Sequence, residues 1–309
     1  MGSLALWEDS SYADSVTVLE VIQRSAEFLG KKGVDSPRLQ AELLLAHVLG
    51  LPRLKLYLEF ERRLSEEQTG RMRELVKRRG EREPLQHIVG SSSFCGIEIA
   101  VTPDVLIPRP ETEILAETAW EYLKGRGGGP PEGGTPNEEA RRTLAPPVVL
   151  DFGTGSGCIA IALAAHCPGA KIHALDVSEQ ALAIARKNAA RYNNITFHQG
   201  DGFPELPPLD LLVSNPPYIP SGEIASLQPE VARFDPRLAL DGGADGLDFY
   251  RRIASEALPR MADGCVMLEF GDGQERALQE IFAGGWRIAD IKNDFAGKPR
   301  ILIAHRAQK

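Results

Sequence analysis

The sequence predicts an α/β fold: a mostly parallel sheet with helices on both faces, preceded by a small helical bundle. Three observations lead there. From residue 148 onward, short apolar runs alternate with stretches of helical period, as in a parallel sheet wound through crossover helices. A glycine-rich loop follows the first of those runs and opens directly into a helical stretch. Residues 1–80, in contrast, show only helical periods and helix caps. A chain of 309 residues has room for a catalytic domain and a smaller companion.

The bundle comes first. Val18, Leu19, Ile22, Ala26 and Leu29 share one face of a helix that Gly30 can end. Ser36 as cap and Pro37 at the first helical position start a second helix through residues 39–49, stopped by Gly50 and Pro52. Ser65-Glu66-Glu67-Gln68 is a capping box ahead of Met72, Leu75 and Val76. No chemical motif lies in this region, and residues 1–84 are expected to form one helical domain.

Residues 85–107 change character. Ile88 and Val89, then Ile97, Ile99 and Val101, alternate around Gly90 and Gly96 like a β-hairpin linker. Residues 111–123 return to helix. The stretch 125–147 is rich in Gly and Pro and reads as a flexible insertion, because it cannot bury enough apolar surface to order itself. Seven sheet runs follow at 148–152, 171–175, 195–199, 210–214, 265–270, 286–291 and 300–305, with helices such as 178–192 and 249–258 between them. Residues 108–309 are therefore expected to be the second domain. In such sheets ligands bind at the carboxyl ends of the strands.

Composition narrows the partners. The chain is 43% hydrophobic and 25% charged, as in ordinary soluble proteins, and its net charge of -8 argues against a broad phosphate-gripping face. Cys95, Cys158, Cys167 and Cys265 show no C-x-x-C pairing and read as reduced thiols, and the six histidines form no ligand cluster, so no metal is expected. No run approaches the roughly 20 apolar residues of a membrane span. Glu8, Asp9 and Asp14 stand where a targeting leader would be basic, and a soluble cytoplasmic protein is expected.

The loop Asp151-Phe152-Gly153-Thr154-Gly155-Ser156-Gly157 leads into the helical stretch from Cys158. Glycines let a ligand approach the backbone closely, and NAD, FAD and S-adenosylmethionine enzymes all use such a loop. A dinucleotide fingerprint wants glycine where Cys158 stands, and no phosphate-loop G-K-[ST] is present. Asp176 closes the second sheet run, where a carboxylate can accept both ribose hydroxyls of an adenosine. The alternative is a cap for the helix near Ser178. The turn at Asp201-Gly202-Phe203 could accept the adenine amino group or be a simple turn.

The fourth run ends in Asn215-Pro216-Pro217-Tyr218. Two prolines fix the backbone and remove its donors, so the chain leaves the sheet in a set direction. The Asn215 side-chain oxygen and the Pro216 carbonyl then become acceptors suited to an NH2 group on a planar carbon, held toward a sulfonium methyl. Tyr218 offers an aromatic face for a flat amide or base. An amide nitrogen is a poor nucleophile, and orientation of this kind can supply roughly 7–11 kcal/mol of the barrier. A strand followed by a stiff turn is the plain alternative.

In these residues the chain resembles the bacterial and organellar peptide chain release factor glutamine methyltransferases, and the resemblance spans nearly all of it. It includes Pro84-Leu85-Gln86-His87-Ile88-Val89-Gly90, Leu106-Ile107-Pro108-Arg109-Pro110-Glu111-Thr112-Glu113, the glycine loop and Val213-Ser214-Asn215-Pro216-Pro217-Tyr218. Arg237-Leu238-Ala239-Leu240, Gly242-Gly243 and Asp245-Gly246-Leu247-Asp248-Phe249-Tyr250 match as well. The tetrapeptide alone is shared with adenine-N6 DNA methyltransferases; the segments around 107–113 and 242–250 are more specific.

The resemblance implies a seven-stranded Rossmann-like methyltransferase sheet with its last strand antiparallel. It implies S-adenosylmethionine as cofactor, held by Gly153, Thr154, Gly155, Ser156, Gly157, Asp176, Asp201, Gly202 and Asn215. It further implies methylation of the side-chain amide nitrogen, N5, of the glutamine in the Gly-Gly-Gln motif of release factors, with that glutamine held by Asn215, Pro216, Pro217 and Tyr218. Release factors would be the protein substrate, with no membrane partner and no direct nucleic-acid substrate. Residues 1–84, which carry no catalytic motif and adjoin a stiff hairpin, are expected to help dock that substrate, a fold-stabilising appendage being the alternative. The chain departs from the family pattern in its longer 125–147 stretch, in Gly202 where a bulky residue is common, and in Asp235-Pro236 for the usual Glu-Pro. Arg109, Glu111 and Glu113 fit structural or cofactor-side roles better than a paired-carboxylate acid/base role. Methylation of a ribosomal-protein glutamine, adenine-N6 methylation of nucleic acid and a non-catalytic binding module are the alternatives.

Overall fold

A computed structural model describes residues 16–126 and 146–307. The 125–147 stretch thus lies almost wholly outside the described residues. The chain divides into two compact units, one of residues 1–90 with 229–234 and one of residues 91–228 with 235–309.

The first unit is helical. Helix α1 (Val18–Lys31) starts at a capping box in which Thr17 and Glu20 satisfy each other's backbone donors, and runs one residue past Gly30. Helix α2 (Pro37–Leu49) has Pro37 in its first turn, but Ser36 sits in the left-handed region at φ 48° and its side chain caps nothing. Helix α3 (Glu66–Gly80) begins with the expected Ser65–Gln68 capping box. Val21, Ile22, Leu29, Leu44, Leu45, Leu56, Met72 and Val76 form the buried core. The pair Ile88–Val89 does not join a strand. Between Pro84 and the left-handed Gly90 it closes a five-residue helix, α4 (Leu85–Val89).

The second unit opens with the hairpin β1 (Ser91–Phe94) and β2 (Ile97–Ala100), paired antiparallel. Cys95 at φ 49° and Gly96 at φ 72° form its two-residue turn, the double left-handed geometry that matches strand twist. Helix α5 (Pro110–Arg126) follows. Then come β3 (Val148–Phe152), α6 (Cys158–His166), β4 (Lys171–Asp176), α7 (Glu179–Asn188), β5 (Ile195–Gln199) and β6 (Leu209–Ser214). After α8 (Pro229–Phe234), which groups with the first unit, come α9 (Asp248–Ala257), β7 (Met261–Glu269), α10 (Glu275–Ile281), β8 (Trp286–Asn293) and β9 (Pro299–Arg306).

The seven strands lie in the order β5-β4-β3-β6-β7-β9-β8. All neighbours up to β7 pair parallel, and β9 runs antiparallel to both β7 and β8. The expected sheet and its antiparallel last strand are therefore present. Alternate residues face opposite layers, as strand geometry requires. Val149, Leu211, Val213 and Met267 pack with α5 and α6, while Leu150, Leu212, Val266 and Leu268 pack with α9 and α10. Strand order reverses between β3 and β6, whose ends align with Asp151 opposite Val213. That switch point is where a doubly wound sheet opens a crevice.

Candidate active site

The loop leaving β3 is fixed from beneath. Asp151 is fully buried, and its Oδ2 accepts from the Thr154 hydroxyl at 2.6 Å and from the Ala160 backbone N–H at 3.2 Å. Burial pushes its carboxyl up to about 7, and its Oδ1 has no hydrogen-bond partner among the described residues. Above it, Gly153 and Gly155 sit at φ 75° and 55°, and a Cβ at either would meet only open space. Their left-handed backbone brings bare peptide to the crevice.

Asp176 ends β4 beside this loop. Its Oδ2 accepts from Gly155 N at 2.8 Å and its Oδ1 from Ser178 N at 2.9 Å. The helix cap is Ser178, whose hydroxyl accepts from Ala181 N, so Asp176 is not the cap. Burial raises its pKa against the opposing pull of these backbone donors. Each carboxylate oxygen has a second lone pair to offer a ligand.

A cavity of about 380 Å³ opens here, within the range of small-molecule sites. Phe152, Gly153, Gly155, Leu175, Asp176 and Val177 form one wall, with Asp104, Val105, Leu106, Asp201, Asn215, Pro217, Leu238 and Phe249 around the rest. Its charged lining is three carboxylates, with neither Lys nor Arg among the described lining residues. Such a surface fits a cationic ligand bearing hydroxyl and amino donors, and its carboxylates disfavour the negative charge of a pyrophosphate. This acceptor set fits an adenosine sulfonium.

Asn215 stands on this wall at the end of β6. Its Nδ2 donates to Thr112 Oγ1 at 3.0 Å, and that hydroxyl donates to Glu269 Oε2 at 2.7 Å. Glu269 is 1% exposed, and burial pushes its carboxyl up to about 7. Pro216 is buried, and neither it nor Tyr218 lines the cavity itself. Burial, with Glu269 near, raises the Tyr218 phenol to about 12, so it remains a neutral O–H.

The exit of the tetrapeptide is clamped by the segment downstream. Ile219 N donates to Leu240 O at 3.0 Å, Gly242 N to Ile219 O at 2.9 Å, and Gln274 Nε2 to Tyr218 O at 2.9 Å. A Cβ on Gly246 would collide with the Tyr218 carbonyl, and one on Gly242 would lie 2.8 Å from the Pro217 carbonyl. Glycine at 246, at φ 77°, is thus required by space as well as by backbone.

Comparison with known proteins adds to this geometry. The family model described as the PrmC N-terminal domain matches residues 20–90, and that of the methyltransferase small domain matches residues 141–228. The release factor glutamine methyltransferase of Geobacter sulfurreducens is 42% identical over 86% of this chain and 88% of its own length. The enzymes of that name from Rhodospirillum rubrum and Rhodopirellula baltica are 40% and 38% identical, over 95% and 94% of this chain and 86% and 97% of theirs. The chain belongs to the release factor glutamine methyltransferase family.

In this methyltransferase the sequence-predicted residues separate into two groups. Gly153, Gly155, Asp176, Asp201, Asn215 and Pro217 meet around one cavity. Thr154, Ser156, Gly157 and Gly202 are not among its lining residues. Thr154 and Ser156 are buried, the first braced on Asp151 and the second giving its carbonyl to Asn188 Nδ2 at 2.9 Å. A Cβ on Gly157 would lie 3.1 Å from the Ala185 side chain, so this glycine lets α6 approach α7. Asp201 is tied to Arg252, whose guanidinium donates to its carboxylate at 2.7 Å and to its backbone carbonyl. Phe203 packs against Phe152 at a centroid distance of 5.0 Å.

Of the residues left without an assigned role, Glu113 Oε1 accepts from Cys95 N at 3.0 Å and braces the hairpin turn. Arg109 pairs with the buried carboxylate of Asp235 at 2.6 Å. Burial nevertheless pushes Asp235 up to about 6. Sequence reasoning missed Thr112, Glu269 and Arg252; Thr112 lay inside a quoted segment, but nothing local marks it as a partner of Asn215. Among the described residues no group of three or more His, Cys, Asp or Glu side chains could hold a metal, and no helix is long and apolar enough to cross a membrane.

Proposed function

We propose that this enzyme transfers the methyl group of S-adenosylmethionine to N5 of the glutamine in the Gly-Gly-Gln motif of peptide chain release factors. One observation carries the proposal. Asn215 lines the same cavity as the glycine loop and Asp176, and one of its two amide hydrogens goes to Thr112, an orientation that leaves Oδ1 as an acceptor. The names of the relatives supply the substrate class, and the net charge of -8 weighs against nucleic acid.

Each residue then has a task. Gly153 and Gly155 give backbone access, and Asp176 offers its remaining lone pairs to the ribose hydroxyls. Asp104 and Asp176 stabilise a positive charge in the cavity, Asp201 being already paired with Arg252. When bound, the cofactor supplies an electrophilic methyl on sulfur. The glutamine NH2 donates one hydrogen to Asn215 Oδ1; the Pro216 carbonyl and the Tyr218 ring, next to Asn215 in the chain but not lining the cavity, are assigned as the second acceptor and the flat face. Holding both hydrogens aligns the nitrogen and favours its pyramidal, nucleophilic form, and orientation is the main contribution such a site can make. The nitrogen gives up a proton to water once it carries the methyl.

The test uses unmodified release factor, labelled S-adenosylmethionine and mass spectrometry of the product. Methyl on the Gly-Gly-Gln glutamine is expected; methyl on adenine, or on a ribosomal-protein glutamine instead, overturns the substrate. Asn215→Ala should abolish transfer while cofactor affinity falls much less, and turnover above about a tenth of wild type would show that orientation by Asn215 is not the source of rate.

A further inference from the structure

An asparagine amide has two ends of almost equal shape and opposite hydrogen-bonding character. If Asn215 is to accept from a substrate NH2, its oxygen must face the cavity; turned over, it presents a donor to a donor. Among the described residues one hydrogen bond is recorded for its side chain, from Nδ2 to Thr112 Oγ1.

We propose that Thr112 is a positioning residue, which, backed by Glu269, fixes the Asn215 amide with its oxygen toward the cavity. This rests on the proposed role of Asn215. A hydroxyl has a single hydrogen to give. Thr112 gives it to Glu269 at 2.7 Å, so toward Asn215 it can only accept, and only the NH2 end satisfies it. Thr112 and Glu269 are 2% and 1% exposed and are not among the residues lining the cavity, so both act through Asn215.

The relay has a polarity that protonation reverses. Ionised Glu269 is acceptor-only and holds Thr112 as donor. Neutral Glu269 can donate to Thr112, whose hydrogen is then free for Asn215 Oδ1, and the amide turns over. The charged groups about Glu269 are Arg300 from β9, Arg109 before α5 and Glu111 within it; the Tyr218 phenol is near, and Tyr250 donates to the Glu269 backbone carbonyl at 2.8 Å. With its carboxyl at about 7, Glu269 changes state within the range of an ordinary assay. Turnover should therefore fall on the acid side of that point.

The experiment measures kcat, KM for intact release factor and cofactor affinity by calorimetry, across pH, for wild type, Thr112→Val, Thr112→Ser and Glu269→Gln. Thr112→Val keeps shape and removes the hydroxyl. It should lower kcat roughly tenfold or more, leave cofactor affinity and KM within about threefold, and flatten the acid limb. Thr112→Ser should restore both rate and limb. Glu269→Gln, which can donate at every pH, should lower kcat with no acid limb. Thr112→Val with wild-type kcat, or a wild-type kcat flat from about pH 6 to about pH 9, overturns the proposal. Should the valine variant not fold, the glutamine variant and the wild-type profile decide it. Failure of the function itself looks different: wild type then leaves the release-factor glutamine unmethylated, or Asn215→Ala keeps its rate.

Discussion

Asp176→Asn is expected to weaken S-adenosylmethionine binding if the cavity beside the glycine loop is the cofactor site proposed above. The two carboxylate oxygens are occupied separately, Oδ2 by Gly155 N at 2.8 Å and Oδ1 by Ser178 N at 2.9 Å. An amide replaces one acceptor with an NH2 donor, so in either orientation one of these backbone N–H groups faces a donor. Turned one way the glycine loop loses its tether, and turned the other the start of α7 does. The charge that would receive ribose hydroxyls is lost in both. A hydrogen bond to a charged group contributes about 1.5–3 kcal/mol, so losing one net bond weakens binding by roughly one to two orders of magnitude. Asp176→Ala should fall in the same range, because it removes both acceptors without adding a misplaced donor.

Calorimetry with S-adenosylmethionine or S-adenosylhomocysteine measures this directly, and far-ultraviolet circular dichroism checks that the variant is folded. An affinity within about threefold of wild type in a folded Asp176→Asn protein would show that the carboxylate contributes nothing to binding. NADH binding of strength comparable to S-adenosylmethionine in wild type would show that the carboxylate lining does not select the cofactor.

Two further outcomes are expected. Asp151 has its carboxyl raised from 3.8 to about 7 by burial, so between those values the native state holds a proton the unfolded chain has released. The resulting stabilisation is complete below about pH 4 and is lost as pH rises through 7, by roughly 4 kcal/mol over the whole window. Tm by calorimetry should therefore fall from about pH 5.5 to about pH 8 and fall less in Asp151→Asn; a variant with the wild-type slope would clear Asp151 of that role. In the first unit, Leu54 and Leu58 are 72% and 86% exposed on the turn Arg53–Leu58. If this unit docks the substrate, Leu54→Ser with Leu58→Ser should raise KM for intact release factor several-fold more than for a short Gly-Gly-Gln peptide, and equal effects on both would remove this surface from recognition.

Periodicity was enough where a segment's own residues decide its structure. The strands at 148–152 and 195–199 begin and end where the apolar runs do, and the Ser65–Gln68 box caps α3 because both partners lie within one turn. It failed at Ile88–Val89, since two apolar neighbours look alike in a strand and in a single helical turn. The flanking Pro84 and left-handed Gly90 settle that segment as helix. At the site, the glycine loop, Asp176 and Asn215 were legible because each follows a strand. Their partners were not, because Thr112 meets Asn215 across 103 residues and Arg252 meets Asp201 across 51. Glu230 on the six-residue α8 likewise bonds Arg79 and Arg82 of the helical unit at 2.9 and 2.7 Å, a pairing no local pattern announces.

Three buried carboxylates carry the polar groups around the cavity, and the choice of carboxylate has a consequence for selectivity. Asp151 accepts from Thr154 under the glycine loop, Glu269 accepts from Thr112 behind Asn215, and Asp235 accepts from Arg109 just before the cavity-lining Pro236. An ionised carboxylate only accepts, so Asp151 and Glu269 take the single hydrogen of the Thr154 and Thr112 hydroxyls, which can then only accept from the other side, while Arg109 is a donor in any case. At Asn215 this leaves the oxygen facing outward, and the lining carboxylates Asp104, Asp176 and Asp201 are acceptors as well. A ligand that fits must therefore bring donors: ribose hydroxyls, an adenine amino group, a primary amide. A glutamine side chain and the amino edge of adenine satisfy that demand almost equally. Discrimination between them cannot come from the polarity of the pocket, and has to come from protein surface that reads the rest of the substrate.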